Sequence, residues 1–99
     1  MHLPDTRVLI DEEVWDFGDV TVNVKVFGER YKSWILSDKF GRHIVAEFER
    51  PDTGYVETVS SREYGREDKM CSIEKQKNDI RDEVDSCLTE ISELKQRLG

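Results

Sequence analysis

The last thirty residues constrain the fold most strongly. No proline or glycine occurs between residues 70 and 98, and apolar side chains recur there at steps of three and four residues, with Lys77 filling one gap. This spacing predicts an α-helix with one apolar side, and its heptad form is typical of a coiled coil. The apolar positions, which we call the seam, are Met70, Ile73, Ile80, Val84, Cys87, Ile91, Leu94 and Leu98.

The start of this helix is predicted from a serine with a glutamate three residues later. Ser60 and Glu63 have the spacing of a capping box, and Gly65 weakens the first turn, so regular helix is expected from about Glu67. About 32 residues would give roughly 48 Å of helix. We therefore expect the seam to pair with a second copy, as a homodimer or small bundle. The alternative is that the helix lies across its own sheet, because core-facing helices share this spacing.

The residues before the helix alternate between apolar and polar side chains and are interrupted by turn signals. The clearest strand runs over 20–27, where four valines occupy every second position. Further strands are expected at 7–10, 31–37, 43–49 and 55–59, joined by tight turns at 18–19, 28–30, 38–41 and 51–54. The predicted fold is α+β: an antiparallel β-meander of four or five short strands over residues 1–61, with curling into a small barrel left open. The long oligomerisation helix follows over residues 62–99.

Composition narrows the class of function. The net charge is −7, from 15 basic and 22 acidic side chains, so we do not expect direct binding to a nucleic-acid polymer or an anionic membrane. The first residues do not resemble a signal peptide, and no apolar stretch is long enough for a membrane span. Cys71 and Cys87 are too few for a disulfide scaffold and lack zinc-site spacing. The prediction is a cytoplasmic protein without a metal or cofactor.

Two stretches are candidates for binding. The first is basic and aromatic, where a base could stack and a phosphate could meet cations; the alternative is an ordinary solvated hairpin. Its residues are Arg30, Lys32, Lys39, Phe40, Arg42 and His43. The second is acidic and could imitate a phosphate backbone or dock a basic partner; the alternative is an acidic loop anchored by its aromatics. Its residues are Asp11, Glu12, Glu13, Trp15, Asp16 and Asp19.

No catalytic constellation is recognisable. His2 and His43 have no motif that ties them to a nucleophile, and no phosphate-cradling glycine loop occurs. The sequence therefore predicts a non-catalytic interaction or adaptor protein, comparable to small phage or plasmid accessory factors. It would self-associate through its helix and bind a protein partner through its β domain. The alternatives are an acidic inhibitor of a nucleic-acid-processing enzyme and a binder of a nucleotide or another small anion.

Overall fold

The chain folds as one antiparallel sheet followed by one helix. The computed structural model describes residues 4–31, 39–65 and 70–98, without the side chain of Leu98. The elements are β1 (Thr6–Asp16), β2 (Thr21–Tyr31), β3 (Lys39–Glu49), β4 (Val56–Gly65) and α1 (Ile73–Leu98). The strands pair in chain order, all antiparallel, with β1 and β4 at the edges. This confirms the predicted α+β meander with a C-terminal helix. The sheet is open and is not closed into a barrel.

The strands are longer than predicted. Gly28, Glu29 and Arg30 continue β2, and Lys39, Phe40 and Gly41 begin β3, so the turns predicted at these two places are wrong. Glycine weakens a strand but does not end it when both neighbouring strands continue to pair with it. Gly28 pairs with Val8 on one side and Arg42 on the other. The predicted strand at 31–37, including Trp34, lies almost wholly outside the described residues.

Two predicted turns are confirmed. Gly18 and Asp19 connect β1 to β2, with a hydrogen bond from the Phe17 amide to the Val20 carbonyl at 3.0 Å. Gly18 has a φ of +86°, a left-handed conformation that glycine adopts without strain. The Asp16 carboxylate accepts a hydrogen bond from the Gly18 amide at 2.9 Å. Residues 51–54 form the turn that connects β3 to β4. A backbone hydrogen bond from the Arg50 amide to the Tyr55 carbonyl closes this turn.

The core lies between one face of the sheet and the helix. Successive side chains of a strand point to opposite faces, so every second residue is buried over 22–26 of β2, as predicted for the valine run, and over 44–48 of β3. The sheet contributes Trp15, Val20, Val22, Val24, Val26, Ile44, Ala46 and Phe48, and α1 contributes Ile80, Val84 and Ile91. The seam of the helix is thus used, at its centre, within a single chain.

The helix begins later than predicted. Ser72 is its cap: its hydroxyl accepts a hydrogen bond from the Lys75 amide at 3.1 Å, and its carbonyl accepts one from the Gln76 amide at 3.1 Å. Ser60 and Glu63 lie in β4, so the capping box expected there is wrong, and the strand runs past the boundary expected at residue 61. The helix has 26 residues. Its length of about 39 Å is close to the roughly 36 Å of an 11-residue strand.

Candidate functional site

The helix covers only part of the sheet face on which it lies. The strand register places Val8, Gly28, Arg30, Phe40 and Arg42 on the same face as the core valines, beyond the point where the helix begins. An apolar groove of about 330 Å³ lies there, next to the first helical turn. We define the apolar groove by its five apolar side chains: Val8, Ile10, Phe40, Met70 and Ile73.

Buried polar contacts fix the helix start and so decide where the groove begins. Arg42 Nη1 donates hydrogen bonds to the Cys71 carbonyl at 2.8 Å and to Gln76 Oε1 at 3.1 Å. Gln76 is buried, and its Nε2 donates to the carbonyls of Arg42 at 3.3 Å and Ser61 at 3.1 Å. One glutamine therefore satisfies main-chain groups of two strands and anchors the helix above them.

A buried lysine attaches the helix to β1. Lys77 Nζ lies 2.8 Å from Asp11 Oδ2 and 3.3 Å from Glu13 Oε2. Hydrogen bonding to Asp11 raises the pKa of Lys77 against the opposing effect of burial, and the same contact lowers the pKa of Asp11. The other oxygen of Glu13 accepts a hydrogen bond from Trp15 Nε1 at 2.7 Å. Two acids of β1 thus bind Lys77, the charged residue that fills the gap in the apolar seam.

The apolar groove is accessible to solvent. Val8 and Ile10 are each 54% exposed and Phe40 is 45% exposed, although all three are large apolar residues. A Cβ on Gly28 would lie 3.6 Å from Cγ2 of Ile10. Because glycine has no side chain, this position leaves space in the groove beside Ile10. Contiguous exposed apolar surface beside a folded core is typical of a binding surface.

The predicted basic and aromatic residues do not form one site. Arg30, Phe40 and Arg42 lie on the helix-side face, whereas Lys39 and His43 lie on the opposite face, which alternation along a strand makes unavoidable. Lys32 lies outside the described residues. Phe40 belongs to the apolar groove, and Arg42 is engaged with the start of the helix.

The predicted acidic stretch is also divided. Asp11 and Glu13 point toward the helix and bind Lys77, and Trp15 belongs to the core. The register places Glu12 and Asp16 on the opposite face, and Asp19 lies in the turn. The structure therefore does not gather these carboxylates on one surface.

The seam residues have three different environments. Ile80, Val84 and Ile91 are in the core, with Ile73 and Cys87 half-buried against it. Met70 lines the apolar groove, Leu94 is exposed, and the side chain of Leu98 is outside the described part. Self-association through the helix stays a prediction, and the central seam residues are already in contact with their own sheet.

Sequence reasoning missed Val8 and Ile10 as site residues, and it missed Gln76 as an anchor. A run of consecutive apolar residues at 8–10 puts apolar side chains on both faces of β1, which is a signal for exposed apolar surface. Gln76 gave no such signal, because a polar residue beside a seam is ordinary on a solvated helix.

Comparisons with protein-family models, with curated proteins and with solved structures found no match for this chain. Within the described ranges, no three His, Cys, Asp or Glu side chains are grouped so that they could hold a metal ion. The described helix is too polar to cross a membrane.

Proposed function

We propose that this is a non-catalytic, cytoplasmic interaction protein that binds a protein partner through its β-sheet, at the apolar groove. The observation that carries the proposal is the exposure of Val8, Ile10 and Phe40 around a groove that continues directly from the core. Burial of such side chains by a partner is favourable by about 25 cal/mol per Å² of apolar surface. Two unpaired cysteines, Cys71 and Cys87, are compatible with a reducing compartment.

The position of the groove favours an extended partner segment. One wall of the groove is β1, an edge strand exposed along nearly its whole length. An edge strand offers main-chain donors and acceptors to an added strand, whose alternate side chains can enter a neighbouring pocket. We infer a partner strand that pairs with β1 and places an apolar side chain between Val8 and Phe40.

The charge on β1 adds to this description of the partner. Glu12 is exposed in the middle of the strand, whereas Asp11 and Glu13 beside it share an ion pair with Lys77. Opposite charges at facing positions of paired strands are favourable, and like charges are not. The inferred segment therefore carries a basic residue opposite Glu12, which also fits a protein whose net charge is −7.

We also propose self-association, but through a smaller part of the helix than the whole seam. Apart from the groove, the sheet leaves the seam residue Leu94 exposed, and Leu94 lies in the last two turns of the helix. Pairing of copies there would leave both the core and the groove unchanged. Measurement of mass in solution for the wild type and for Leu94→Asp tests this part separately, and an equal monomer mass for both would contradict it.

Site-specific photocrosslinking in the source cell tests the binding surface. A benzophenone amino acid replaces Phe40 in one variant and the exposed Val14, on the opposite face of β1, in a matched control. We expect one adduct of defined mass from position 40, containing a different protein, and none from position 14. The adduct should disappear when Val8→Asp is added, because the charge would have to be desolvated in the groove.

Three results would contradict the proposal. These are no adduct at position 40, equal labelling at both positions, or an adduct that consists of two copies of this chain. Thermal unfolding of Val8→Asp provides the control for folding, since Val8 is more than half exposed and its substitution should leave the melting curve nearly unchanged.

A further inference from the structure

The face of the sheet opposite the helix carries a second group of side chains, independent of the apolar groove. Two cross-strand rows lie there near the same end of the strands. The first row is Leu9, Phe27, His43 and Arg62, and the second is Arg7, Glu29, Gly41 and Tyr64. This end of the face is basic and aromatic, in contrast to the acidic chain as a whole.

Two arginines from opposite edges of the sheet converge over its middle strands. From β1, the guanidinium carbon of Arg7 lies 3.8 Å from the centroid of the Phe27 ring. From β4, Arg62 reaches across β3: its Nη2 lies 3.4 Å from His43 Nδ1, and its Nε lies 3.4 Å from Glu29 Oε1. His43 is near both cations; its pKa is lowered first by burial and then by the charges of Arg62 and Arg7.

Glu29 positions Arg62 without neutralising the cluster. It is only 3% exposed, and its Oε1 accepts a hydrogen bond from the Tyr31 hydroxyl at 3.3 Å as well as facing Arg62. Its Oε2 is buried with no hydrogen-bond partner among the described residues. Glu29 is the carboxylate in contact with Arg62, whereas the guanidinium of Arg7 lies on the face of the Phe27 ring, a contact that uses no N–H···O hydrogen bond. A second anion would complete the charge balance.

A pair of tilted tyrosine rings adjoins these cations. The rings of Tyr31 and Tyr64 lie 5.8 Å apart over Gly41, where a Cβ would meet both rings at 3.4 Å. Tyr64 is 46% exposed, and Lys39 Nζ lies 4.8 Å from the centroid of its ring. Tyr64 and Arg62 are two residues apart on one strand, a separation of about 7 Å.

We propose that this face binds a mononucleotide, with its phosphate between Arg7 and Arg62 and its base on the ring of Tyr64. Because His43 Nδ1 accepts from Arg62, a neutral His43 carries its proton on Nε2, which is a further donor for the phosphate. Guanidinium groups suit phosphate oxygens, and base stacking on an aromatic ring is sequence-tolerant.

The rest of the same face favours a single nucleotide over a polymer. Toward the other end of the strands lie Glu12, Asp16, Glu47 and Glu49, with Lys25 among them. A continuing phosphate backbone would meet these carboxylates at short range and be repelled.

Titration with three probes at low ionic strength tests the proposal: adenosine 5′-monophosphate, inorganic phosphate and adenosine, followed by amide chemical shifts. We expect saturable shifts at Phe27, His43 and Arg62, with the nucleotide binding at least tenfold more tightly than either fragment. Arg7→Gln should weaken the nucleotide and phosphate at least tenfold. Tyr64→Ala should weaken the nucleotide alone. The control Lys25→Gln, an exposed cation on the acidic part of the face, should leave affinity unchanged.

Several outcomes would overturn the proposal: no saturable shifts with the nucleotide, an equal loss of affinity in Lys25→Gln and Arg7→Gln, or no effect of Tyr64→Ala. Tighter binding of a single-stranded oligonucleotide than of the mononucleotide would also overturn it. Arg7→Gln is preferred to Arg62→Gln because removal of Arg62 would leave buried Glu29 without its cation and could unfold the chain.

Discussion

The two ends of the helix-side face have the same alternation of side chains but opposite environments. At one end Val24, Val26 and Ile44 are fully buried under the helix; at the other, Val8 and Phe40 are about half exposed. The difference arises from the position at which the helix starts, which Gln76 and Lys77 fix through polar contacts. Strand pattern therefore decides which face is apolar, and a few polar anchors decide how much of it is covered.

The largest difference in stability is expected between two alanine substitutions, one at each end of the helix-side face. Ile44→Ala should lower the free energy of unfolding by about 3 kcal/mol, because it leaves a cavity in a packed core. Val8→Ala, on the same face but exposed, should cost about 0.5 kcal/mol or less. Chemical denaturation of both variants measures the difference. Similar losses would mean that the two ends are buried alike.

Removal of the buried lysine should have the next largest effect. Lys77→Met keeps an unbranched apolar side chain of similar length but leaves Asp11 and Glu13 facing it without a cation. We expect a loss of about 1–2 kcal/mol, below the 3–5 kcal/mol of a fully buried pair, because both carboxylates are partly exposed. Lys75→Met is the matched control, since Lys75 forms only an exposed pair with Asp79. Equal losses in the two variants would contradict the anchoring role of Lys77.

The pH dependence of stability should depend on the same contact. The pKa of Asp11 is lowered in the folded chain by Lys77, so its contribution is present above the ordinary carboxyl pKa of about 3.9 and is lost as the pH falls. The pKa of Lys77 is raised, so its contribution is present below about pH 10.4 and is lost as the pH rises above that value. Denaturation at pH 7 and pH 3 should show the gap between wild type and Lys77→Met narrowing in acid. A constant gap would contradict the assignment.

The smallest effect on stability should come from the groove itself. Phe40→Ser should change the free energy of unfolding by about 1 kcal/mol or less, because Phe40 is nearly half exposed. The same substitution should clearly reduce the fluorescence of a bound hydrophobic dye, since it removes part of the exposed apolar surface. Tyr55→Ser, far more exposed and in the turn before β4, is the control that should leave dye binding unchanged. An equal reduction of dye fluorescence in Tyr55→Ser would contradict binding of the dye at the apolar groove.

The parts of the fold that follow from local pattern were predictable. The valines of β2 and the turn at Gly18 depend only on alternation and on glycine conformation, and both predictions are confirmed. The strand through Gly28 was not predictable, because a glycine next to charged residues is also typical of a turn. Its pairing partners, Val8 and Arg42, are distant in sequence and supply the information that the local pattern lacks.

The role of the helix seam could not be settled by spacing. Apolar residues at steps of three and four can pack equally well against a partner helix or against a sheet. In this chain Ile80, Val84 and Ile91 pack against the sheet. Lys77 was a signal, because a lysine in an apolar seam requires acids, and Asp11 and Glu13 are the acids that bind it. Lys77 and Asp11 are 66 positions apart in the chain, and the periodicity of a single helix or strand cannot predict a contact over that separation.

The most direct test of this account is an isotope-filtered nuclear Overhauser measurement on an equimolar mixture of methyl-labelled and unlabelled protein. We predict contacts from the methyl groups of Ile80 and Val84 to those of Val24, Val26 and Ile44 within single chains, with no signal between chains for these residues. Contacts between the Val84 methyl groups of two chains, with loss of the contacts to the sheet, would contradict it.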